Sequence, residues 1–293
     1  MKKFFLIYNK DSSSDNTSSI LTDIIPAYQE RGIIVTPFCL NVGEKEDFLP
    51  LLQTGGFSGV LVSGGDGTVK SVLSFFLKHG IDLPIGLIPA GTCNDLANSL
   101  GLPKNNLEAA LVPLNERVKV IDIGVINGDS FFFSSCAGGY FMPDDTDYSP
   151  NFFKKFIKKF AYYMRAALRV NRFKPFDLSL SVDGELHRFQ AMMFGVATGS
   201  QVAGFGNILK QAELDDGFLD VFVIDNCSYY QAQRIIIDII RGKFVEHKHV
   251  YYFRGSSIYI DGPALLPVVF DGEEGDKLPL DIAISKKRIS VFF

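Results

Sequence analysis

Two short glycine loops, each following an apolar run, have the residue types that bind phosphate. The first, Ser63-Gly64-Gly65-Asp66-Gly67-Thr68, follows Val60-Leu61-Val62, and the second is Pro89-Ala90-Gly91-Thr92-Cys93-Asn94-Asp95. Glycine lets the backbone approach a ligand closely, and N–H groups at the start of a following helix bind phosphate oxygens. Thr68 either caps that helix or donates its hydroxyl to a phosphate. The pattern predicts a phosphate-binding site, with a plain glycine-rich turn as the alternative.

Asp66 is an unusual neighbour for a phosphate, because a carboxylate repels phosphate unless a cation lies between them. Mg²⁺ accepts carboxylate and phosphate oxygens together, so Asp66 predicts a magnesium ion. In the second loop, Thr92 and Asn94 can donate to phosphate or ribose, and Asp95 can join the water shell of the cation. A helix-capping role for Asp66, without any ligand, is the alternative.

Two common phosphate motifs are excluded. Gly67-Thr68-Val69-Lys70-Ser71 lacks the glycine that must precede the lysine in G-x-x-x-x-G-K-[ST]. Lys70 also stands where the dinucleotide pattern G-x-G-x-x-G needs its third glycine. The loops therefore predict phosphate binding without assigning either motif.

The elements that must position these loops alternate between strand and helix in the first part of the chain. Short apolar runs predict strands, and longer mixed segments between them predict helices. The predicted strands are Phe4 to Tyr8, Ile33 to Leu40, Val60 to Val62 and Pro84 to Ile88. Such alternation is typical of a doubly wound α/β domain, in which ligands bind beyond the carboxyl ends of the strands. Both glycine loops follow such ends.

The pattern changes near Val118. Predicted strands now follow one another, beginning with Val118 to Ile126 and Phe131 to Ser135. Asn127-Gly128 and Asp183-Gly184 are hairpin turn signals. The second part of the chain is therefore predicted to be a mostly antiparallel sandwich or barrel.

Composition narrows the function classes. The net charge of −4 and the pI of about 5.6 carry no global nucleic-acid footprint, so no nucleic-acid partner is expected. Cys39, Cys93, Cys136 and Cys227 form no C-x-x-C pair, which argues against a zinc site or a disulfide framework and favours the cytoplasm. No apolar run is long enough to predict a transmembrane helix.

Further motifs follow the two loops in a fixed order: Ile121-Asp122-Ile123-Gly124, then Leu214-Asp215-Asp216-Gly217-Phe218-Leu219-Asp220-Val221, then Phe270-Asp271-Gly272-Glu273. Together with the loops, they closely resemble the diacylglycerol kinase catalytic family. That family includes bacterial soluble diacylglycerol kinases, YegS-type lipid kinases, and sphingosine and ceramide kinases. GGDGT alone is shared with NAD kinases and phosphofructokinases, whereas the whole order is specific. The resemblance covers nearly the whole chain.

The resemblance implies a doubly wound α/β nucleotide-binding domain over residues 1–120, similar to NAD kinase and phosphofructokinase. A C-terminal β-sandwich domain for the lipid substrate would span residues 121–282, and the tail, about 283–293, is free to return to the first domain. The active site would lie in the cleft between them. The implied reaction is transfer of the ATP γ-phosphate, with Mg²⁺, to a diacylglycerol-like lipid. The alternatives are a kinase for a sphingoid base or another hydroxyl, and a non-catalytic nucleotide or lipid sensor.

The resemblance also implies residue roles. Those that would hold ATP are Asn9, Gly64, Gly65, Gly67, Thr68, Gly91, Thr92 and Asn94. Asp66, Asp95 and Asp215 would order magnesium and its waters, with Asp216 as the alternative to Asp215. Glu273 would be the general base and Asp66 the rival base. Taken alone, Asp271-Gly272-Glu273 also fits a hairpin turn.

The chain departs from the family pattern in three segments, of which the third is residues 202–206 together with Lys210, where the family has a tyrosine- and glycine-rich run and a proline. Asn9-Lys10-Asp11-Ser12-Ser13 keeps only the asparagine and a serine of N-P-x-S-G, and Lys70-Ser71 replaces an Asn-Glu pair. The first two departures favour the sensor alternative.

Residues 151–174 are basic and contain no acidic residue. The cations are Lys154, Lys155, Lys158, Lys159, Arg165, Arg169, Arg172 and Lys174. Apolar residues such as Phe152, Phe156 and Phe160 recur at helical spacing, so a basic amphipathic helix is predicted. Such a helix can hold an enzyme peripherally at the inner face of a membrane, near its lipid substrate. The alternative is a helix that packs on the sandwich with its lysines in solvent. The sequence leaves a homodimer open.

Overall fold

The structure is a computed structural model that describes residues 1–9, 18–40, 48–139, 175–202 and 207–293. These residues form two compact units. The first consists of Met1–Ile121 with Lys287–Phe293, and the second is Asp122–Lys286. Each unit has its own sheet and its own hydrophobic core.

The first unit is an α/β structure. Its strands are β1 Lys3–Asn9, β2 Ile34–Leu40, β3 Gly59–Gly64, β4 Ile85–Pro89, β5 Val118–Ile121 and β17 Ile289–Phe292. Its α-helices are α1 Ile25–Gln29, α2 Leu49–Gly55, α3 Asp66–His79, α4 Asp95–Ser99 and α5 Asn106–Leu111. A π-helical turn, Ile20–Ile24, precedes α1, and a 3₁₀ turn, Val112–Asn115, follows α5.

The sheet of the first unit has the strand order β2-β1-β3-β4-β17-β5. Neighbouring strands from β2 to β17 in this order are parallel. The edge strand β5 runs antiparallel to β17. Because β2 lies on one side of β1 and β3 on the other, the winding reverses between β1 and β3. This reversal is the switch point at which doubly wound sheets bind ligands, and the sheet confirms the α/β fold class.

The central strand β3 is buried along its whole length, as its run of Val60, Leu61 and Val62 predicts for a strand covered on both faces. The core below it includes Phe4, Leu6, Tyr28, Leu61 and Ile88. A fully covered central strand leaves only its carboxyl end accessible, and that end is where the first glycine loop begins.

The second unit is an antiparallel β structure. Its strands are β6 Gly124–Ile126, β7 Ser130–Phe132, β8 Ser135–Gly139, β9 Phe176–Val182, β10 Glu185–Ala197, β11 Leu219–Asp225, β12 Val250–Gly255, β13 Ser257–Asp261, β14 Val268–Phe270, β15 Glu273–Glu274 and β16 Leu280–Ile284. The helix α6, Tyr229–Ile240, and a 3₁₀ turn, Phe244–Glu246, lie between β11 and β12.

The long strand β10 pairs with three neighbours in the eleven-stranded sheet of this unit. Its first half pairs with β9 over Glu185 to Ala191, and its second half pairs with β8 and β11. The register shifts between Ala191 and Met193, where a bulge lets a strand bend. The sheet encloses a core that includes Phe132, Phe194 and Val221. This arrangement confirms the predicted sandwich.

Hairpin turns close where the sequence predicts them. Asn127 and Gly128 join β6 to β7 with φ of 51° and 88°, and Asp183 and Gly184 join β9 to β10 with φ of 48° and 90°. Both central residues are left-handed, which is the requirement of a type I′ turn and the reason for Asn-Gly or Asp-Gly.

The prediction of one strand from Val118 to Ile126 is wrong. The chain leaves the first sheet after Ile121 and enters the second at Gly124. Asp122 interrupts the strand because its backbone and side chain bond elsewhere in the second unit, as described below. The predicted strand Phe131 to Ser135 is likewise two strands, β7 and β8, with a break at Phe133 and Ser134.

Candidate active site

The first glycine loop turns directly from β3 into α3. β3 ends at Gly64, Gly65 is the N-cap in extended conformation, and α3 begins at Asp66. No side chain caps this end, and Thr68 lies within the first turn, so the capping alternative for Thr68 is wrong and the alternative of a hydroxyl donor to phosphate stays a prediction. Uncapped N–H groups at the start of a helix of 14 residues are suited to an anion.

Asn9, Gly64 and Thr68 meet at the switch point of the sheet. Asn9 ends β1, and its Nδ2 lies 3.5 Å from Thr68 Oγ1. A Cβ on Gly64 would lie 2.5 Å from Thr68 Cβ, so only glycine lets the helix start this close to the strand. The geometry thus brings together three of the residues predicted to hold nucleotide phosphates.

The second loop is closed by the Asn94 side chain. Asn94 is left-handed, with φ of 53°, and its Oδ1 accepts from the Gly91 N–H at 2.9 Å. Its Nδ2 donates to the Gly91 carbonyl at 2.8 Å. One amide group therefore satisfies both backbone groups of Gly91. Asn94 was predicted to donate to a ligand. In the structure its side chain closes the loop by bonding to Gly91.

The two loops are bonded to each other. Asp66 Oδ2 accepts from the Asn94 N–H at 2.8 Å, and Asp66 Oδ1 accepts from the Asp95 N–H at 2.7 Å. The Ala90 N–H also donates to the Gly64 carbonyl at 3.0 Å. We call residues 64–68 and 90–95 the loop pair. The Asp66 carboxylate links the two loops, which lie apart in the sequence.

The loops approach so closely that Gly91 has no room for a side chain at the crossing. A Cβ on Gly91 would lie 2.4 Å from Gly65 Cα, which is shorter than any contact a folded protein sustains. The backbones of the two loops therefore cross in direct contact at Gly65 and Gly91.

Asp66 fits a magnesium site by its chemistry. Burial raises the pKa of Asp66, and its bonds from the Asp95 and Asn94 N–H groups oppose that rise. Each carboxylate oxygen has two acceptor positions, so one N–H bond to each oxygen leaves a position for a cation or its water. Asp66 is half-buried, and Asp95 is buried, with 6% of its surface exposed. A cation would offset the cost of placing two carboxylates in so little solvent.

The predicted acidic residues of the second unit lie on a loop held by Asp122. The buried Asp122 carboxylate accepts from the Gly217 N–H at 2.7 Å, and its own N–H donates to the Leu214 carbonyl at 2.6 Å. Asp215 is exposed on this loop, whereas Asp216 pairs with Arg254. The two aspartates thus differ in exposure and in their contact with Arg254: Asp215 is exposed, and Asp216 is half-buried and pairs with that cation.

Glu273 follows a tight turn that Asp271 anchors. Phe270 pairs with Glu273, so Asp271 and Gly272 form the two-residue turn between β14 and β15, with φ of 50° and 85°. The Asp271 carboxylate accepts backbone N–H bonds from Phe133, Ser134 and Ser135 at 2.9 to 3.0 Å. The hairpin interpretation of this motif is confirmed. Glu273 itself is exposed, held in place by a turn with few degrees of freedom.

The predicted residues fall into one set in each unit. Asn9, the loop pair and Asp95 lie in the first unit, and Asp215, Asp216 and Glu273 lie in the second. Over the described ranges, the structure assembles no cluster of three or more His, Cys, Asp or Glu side chains suited to a metal. Phosphate and water oxygens would have to complete a magnesium shell.

None of the described helices is long and apolar enough to cross a membrane. The predicted basic helix at 151–174 lies outside the described residues.

Sequence reasoning missed the supporting residues. Asp122 and Asp271 stood inside motifs, yet no role was predicted for either carboxylate. Both bond to backbone more than 90 positions away in sequence, which only the fold reveals. Arg254 follows four ordinary strand residues and carries no sequence signal at all.

Comparison with known proteins supports the motif assignment along the chain. The model "Diacylglycerol kinase catalytic domain" matches residues 3–126, and "YegS C-terminal NAD kinase beta sandwich-like domain" matches residues 147–293, half of the chain. A diacylglycerol kinase of Bacillus subtilis is 26% identical over 99% of this chain and 96% of its own length. One of Staphylococcus saprophyticus is 26% identical over 99% of this chain and 95% of its own length.

Solved structures agree on the fold. A diacylglycerol kinase structure from Bacillus anthracis superposes with a TM-score of 0.76 at 22% identity, over all of this chain and 97% of that one. A second structure from the same organism gives a TM-score of 0.83 at 24% identity, over all of this chain and 95% of that one. With both domain models matched in order, the chain belongs to the diacylglycerol kinase family of lipid kinases.

Proposed function

We propose that this chain transfers the γ-phosphate of ATP to the hydroxyl of a diacylglycerol-like lipid in a magnesium-dependent reaction. The observation that carries the proposal is the loop pair: two backbone loops bonded through Asp66 at the switch point of a doubly wound sheet. Family membership supports the kinase reaction and the use of ATP. The diacylglycerol-like acceptor rests on relatives that are 26% identical.

The loop pair suits the phosphates of ATP. The uncapped start of α3 presents N–H groups with the positive end of the helix dipole, which attracts an anion. Thr68 and Thr92 add hydroxyl donors, and Asn9 lies beside Thr68. Phosphoryl transfer needs little covalent chemistry from a protein, so positioning and charge stabilisation are the work such a site must do.

Magnesium, when bound, would neutralise charge on the transferring phosphoryl group. Asp66 and Asp95 of the first unit and Asp215 of the second are the residues we assign to it and its waters. Asp95 is a buried carboxylate and Asp66 a half-buried one, so a cation would stabilise the charge of both, and Asp215 is exposed. We place Asp216 outside this set because Arg254 already pairs with it.

Glu273 is our candidate for the general base that accepts the proton of the lipid hydroxyl. Its exposure leaves it reachable by an acceptor, and the anchored turn limits where its carboxylate can go. Asp66 is the weaker candidate, because both of its oxygens already accept bonds that hold the second loop. A base must first reach the proton it removes, and only then does its pKa matter.

A panel of acceptors tests the substrate. The chain would be incubated with γ-labelled ATP, Mg²⁺ and micelles of diacylglycerol, monoacylglycerol, phosphatidylglycerol or a sphingoid base, alongside soluble alcohols. We expect label in diacylglycerol above all others. Strongest labelling of a sphingoid base or of a soluble alcohol would instead establish the alternative kinase and overturn the diacylglycerol assignment.

A non-catalytic nucleotide or lipid sensor is the second candidate, favoured by Lys70-Ser71 and by the altered segment after Asn9. The variant Asp66→Ala separates the two. A kinase loses its turnover with this change, whereas a sensor has no turnover to lose and shows only altered ATP binding.

We further propose peripheral contact with the inner membrane face through residues 151–174, on the strength of their eight cations and their lack of acidic residues. Binding to anionic vesicles should then fall as salt rises, because screening weakens exposed charge interactions. Charge reversal of Lys154, Lys155, Lys158 and Lys159 should abolish that binding. Vesicle binding that the reversal leaves unchanged contradicts this proposal. Whether the chain is a homodimer would be read from its mass in solution.

A further inference from the structure

We propose that Arg254 is a positioning residue that fixes the loop Asp215-Asp216-Gly217 and so sets the magnesium requirement of the enzyme. The inference rests on the magnesium role proposed above for Asp215. Arg254 and the loop that it contacts both lie in the second unit, and the first readout does not depend on activity.

Strand register places Arg254 beside the loop. β11 and β12 pair antiparallel, with Asp220 directly opposite Arg254 and Phe222 opposite Tyr252. Asp220 lies only four residues after Asp216. A long side chain at position 254 of β12, opposite Asp220, can therefore reach back along β11 to the loop. Arginine has the reach and the planar group of donors for contacts in two directions.

Arg254 makes three contacts there. Its Nη2 pairs with Asp216 Oδ2, its guanidinium carbon lies 4.8 Å from the centre of the Phe218 ring, and its Nε lies 3.9 Å from Asp220 Oδ1. The pairing with a carboxylate and the stacking on a ring act on residues that flank Gly217. Arg254 therefore holds the loop from one side while Asp122 holds the Gly217 N–H from the other.

Asp220 fixes the place of Arg254 in turn. Asp220 is completely buried, and its Oδ1 accepts from the Tyr252 hydroxyl. Burial raises the pKa of Asp220, and the bond from Tyr252 opposes that rise. Asp220 Oδ2 is buried without a hydrogen-bond partner among the described residues, and the Arg254 guanidinium places its charge 3.9 Å from the other oxygen of this poorly solvated carboxylate. Without the arginine, the buried Asp220 carboxylate would carry an uncompensated charge, which destabilises the fold.

The consequence is a division of work between the neighbouring aspartates. Asp216 holds the loop by accepting from the Phe218 N–H at 3.0 Å and pairing with Arg254. Asp215 is exposed on the same loop, where a cation or its water can approach it. Removing Arg254 should therefore loosen the loop on one side and displace Asp215.

The test compares Arg254→Met with Arg254→Lys and with Arg188→Gln, which removes an exposed arginine from β10 of the same unit. Hydrogen exchange of a peptide spanning residues 212–220 reports the order of the loop. We expect faster exchange in Arg254→Met, a smaller change in Arg254→Lys, and none in Arg188→Gln. The Mg²⁺ concentration for half-maximal lipid phosphorylation should rise about 10–100-fold in Arg254→Met, the effect expected of an outer-shell residue. Asp216→Asn combined with Arg254→Met should add little to either single change.

Unchanged exchange over residues 212–220 in Arg254→Met would overturn the inference. So would a loss of turnover that extra Mg²⁺ fails to restore, because a merely structural role lowers stability without moving the magnesium requirement. If the unaltered protein phosphorylates no lipid, the proposed function fails instead, and the exchange comparison still decides whether Arg254 orders the loop.

Discussion

Among single residues, Asp66 has two roles that compete for one carboxylate. It joins the glycine loops by accepting the Asn94 and Asp95 N–H groups, and it is also assigned to magnesium. Serving the fold and the ligand with the same side chain makes this position intolerant even of an isosteric change.

Asp66→Asn should lower both stability and activity. The amide oxygen can accept one of the two N–H groups, but the amide nitrogen would face the other donor. One buried donor is left unsatisfied, at a cost of about 1–3 kcal/mol. We expect a lower free energy of unfolding by denaturant, together with lost phosphate transfer. The control is Asp82→Asn, an exposed aspartate of the same unit, which should match the unaltered protein. Equal stability of Asp66→Asn and the control would contradict the bonding described here.

Two glycines of the loop pair should respond differently to alanine. In Gly91→Ala the new Cβ would lie 2.4 Å from Gly65 Cα, so the loops must separate, and both thermal stability and ATP affinity should fall. In Gly67→Ala the Cβ meets nothing within 4 Å, so stability should hold or rise slightly in the first turn of α3. Calorimetry with and without ATP measures both effects. Similar melting temperatures for the two variants would show that the loops do not cross as described.

Among the structural elements, the position of Glu273 depends on a tight turn. The turn from β14 to β15 is anchored because one carboxylate satisfies three backbone donors of the segment Phe133 to Ser135. A turn so fixed can present the next side chain, Glu273, with little loss of conformational entropy.

Asp271→Ala and Glu273→Gln should separate the anchor from the proposed base. Asp271→Ala strips three buried or half-buried N–H groups of their acceptor, so it should lower unfolding stability by roughly 1–3 kcal/mol or more. Glu273→Gln alters an exposed side chain, so stability should stay the same while turnover falls about 10²–10⁴-fold, as for a lost general base. Denaturation curves and steady-state rates measure the pair. Full turnover in Glu273→Gln would remove Glu273 from the mechanism.

His247 should make the stability of the second unit sensitive to acid. Burial lowers the pKa of His247, while the Asp238 carboxylate opposes this. Its Nδ1 accepts from the His249 N–H at 3.2 Å, a bond that protonation of Nδ1 removes. A lowered pKa in the folded state gives stability that is present above the ordinary histidine value, about 6.5, and is lost as pH falls through the folded value.

Calorimetry of His247→Gln at a series of pH values measures that contribution. The melting temperature of the unaltered protein should drop more steeply below about pH 6.5 than that of His247→Gln. His79→Gln, a change at an exposed histidine of the first unit, should keep the steep drop. Parallel curves for the unaltered protein and His247→Gln would contradict the assignment.

Over the whole molecule, the sequence predicted local elements and turns better than it predicted contacts between distant residues. Alternating strands and helices predicted the α/β unit, and Asn-Gly and Asp-Gly pairs predicted turns, because each signal acts between near neighbours. The place of β17 between β4 and β5, and the pairing of Arg254 with Asp216, join distant parts of the chain. Nothing in the local sequence specifies such contacts, which depend on register and topology.

The candidate site shows the same division. Its glycines, aspartates and Glu273 were predicted because their chemistry is visible in short motifs. The break at Asp122 was not, because a strand pattern runs through Val118 to Ile126 while the carboxylate bonds to Gly217. The residues that position a site are recognisable only once the fold has brought their partners together.

The most direct test of the account is the source of the phosphate that reaches the lipid. Diacylglycerol micelles would be incubated with the protein and ATP labelled at either the α or the γ position, with Mg²⁺ or with a chelator. We predict label in the lipid from γ-labelled ATP alone, and none once the chelator is present. An unlabelled lipid in every reaction, with ATP nonetheless bound by the protein, would contradict the account of this chain as an ATP- and magnesium-dependent lipid kinase.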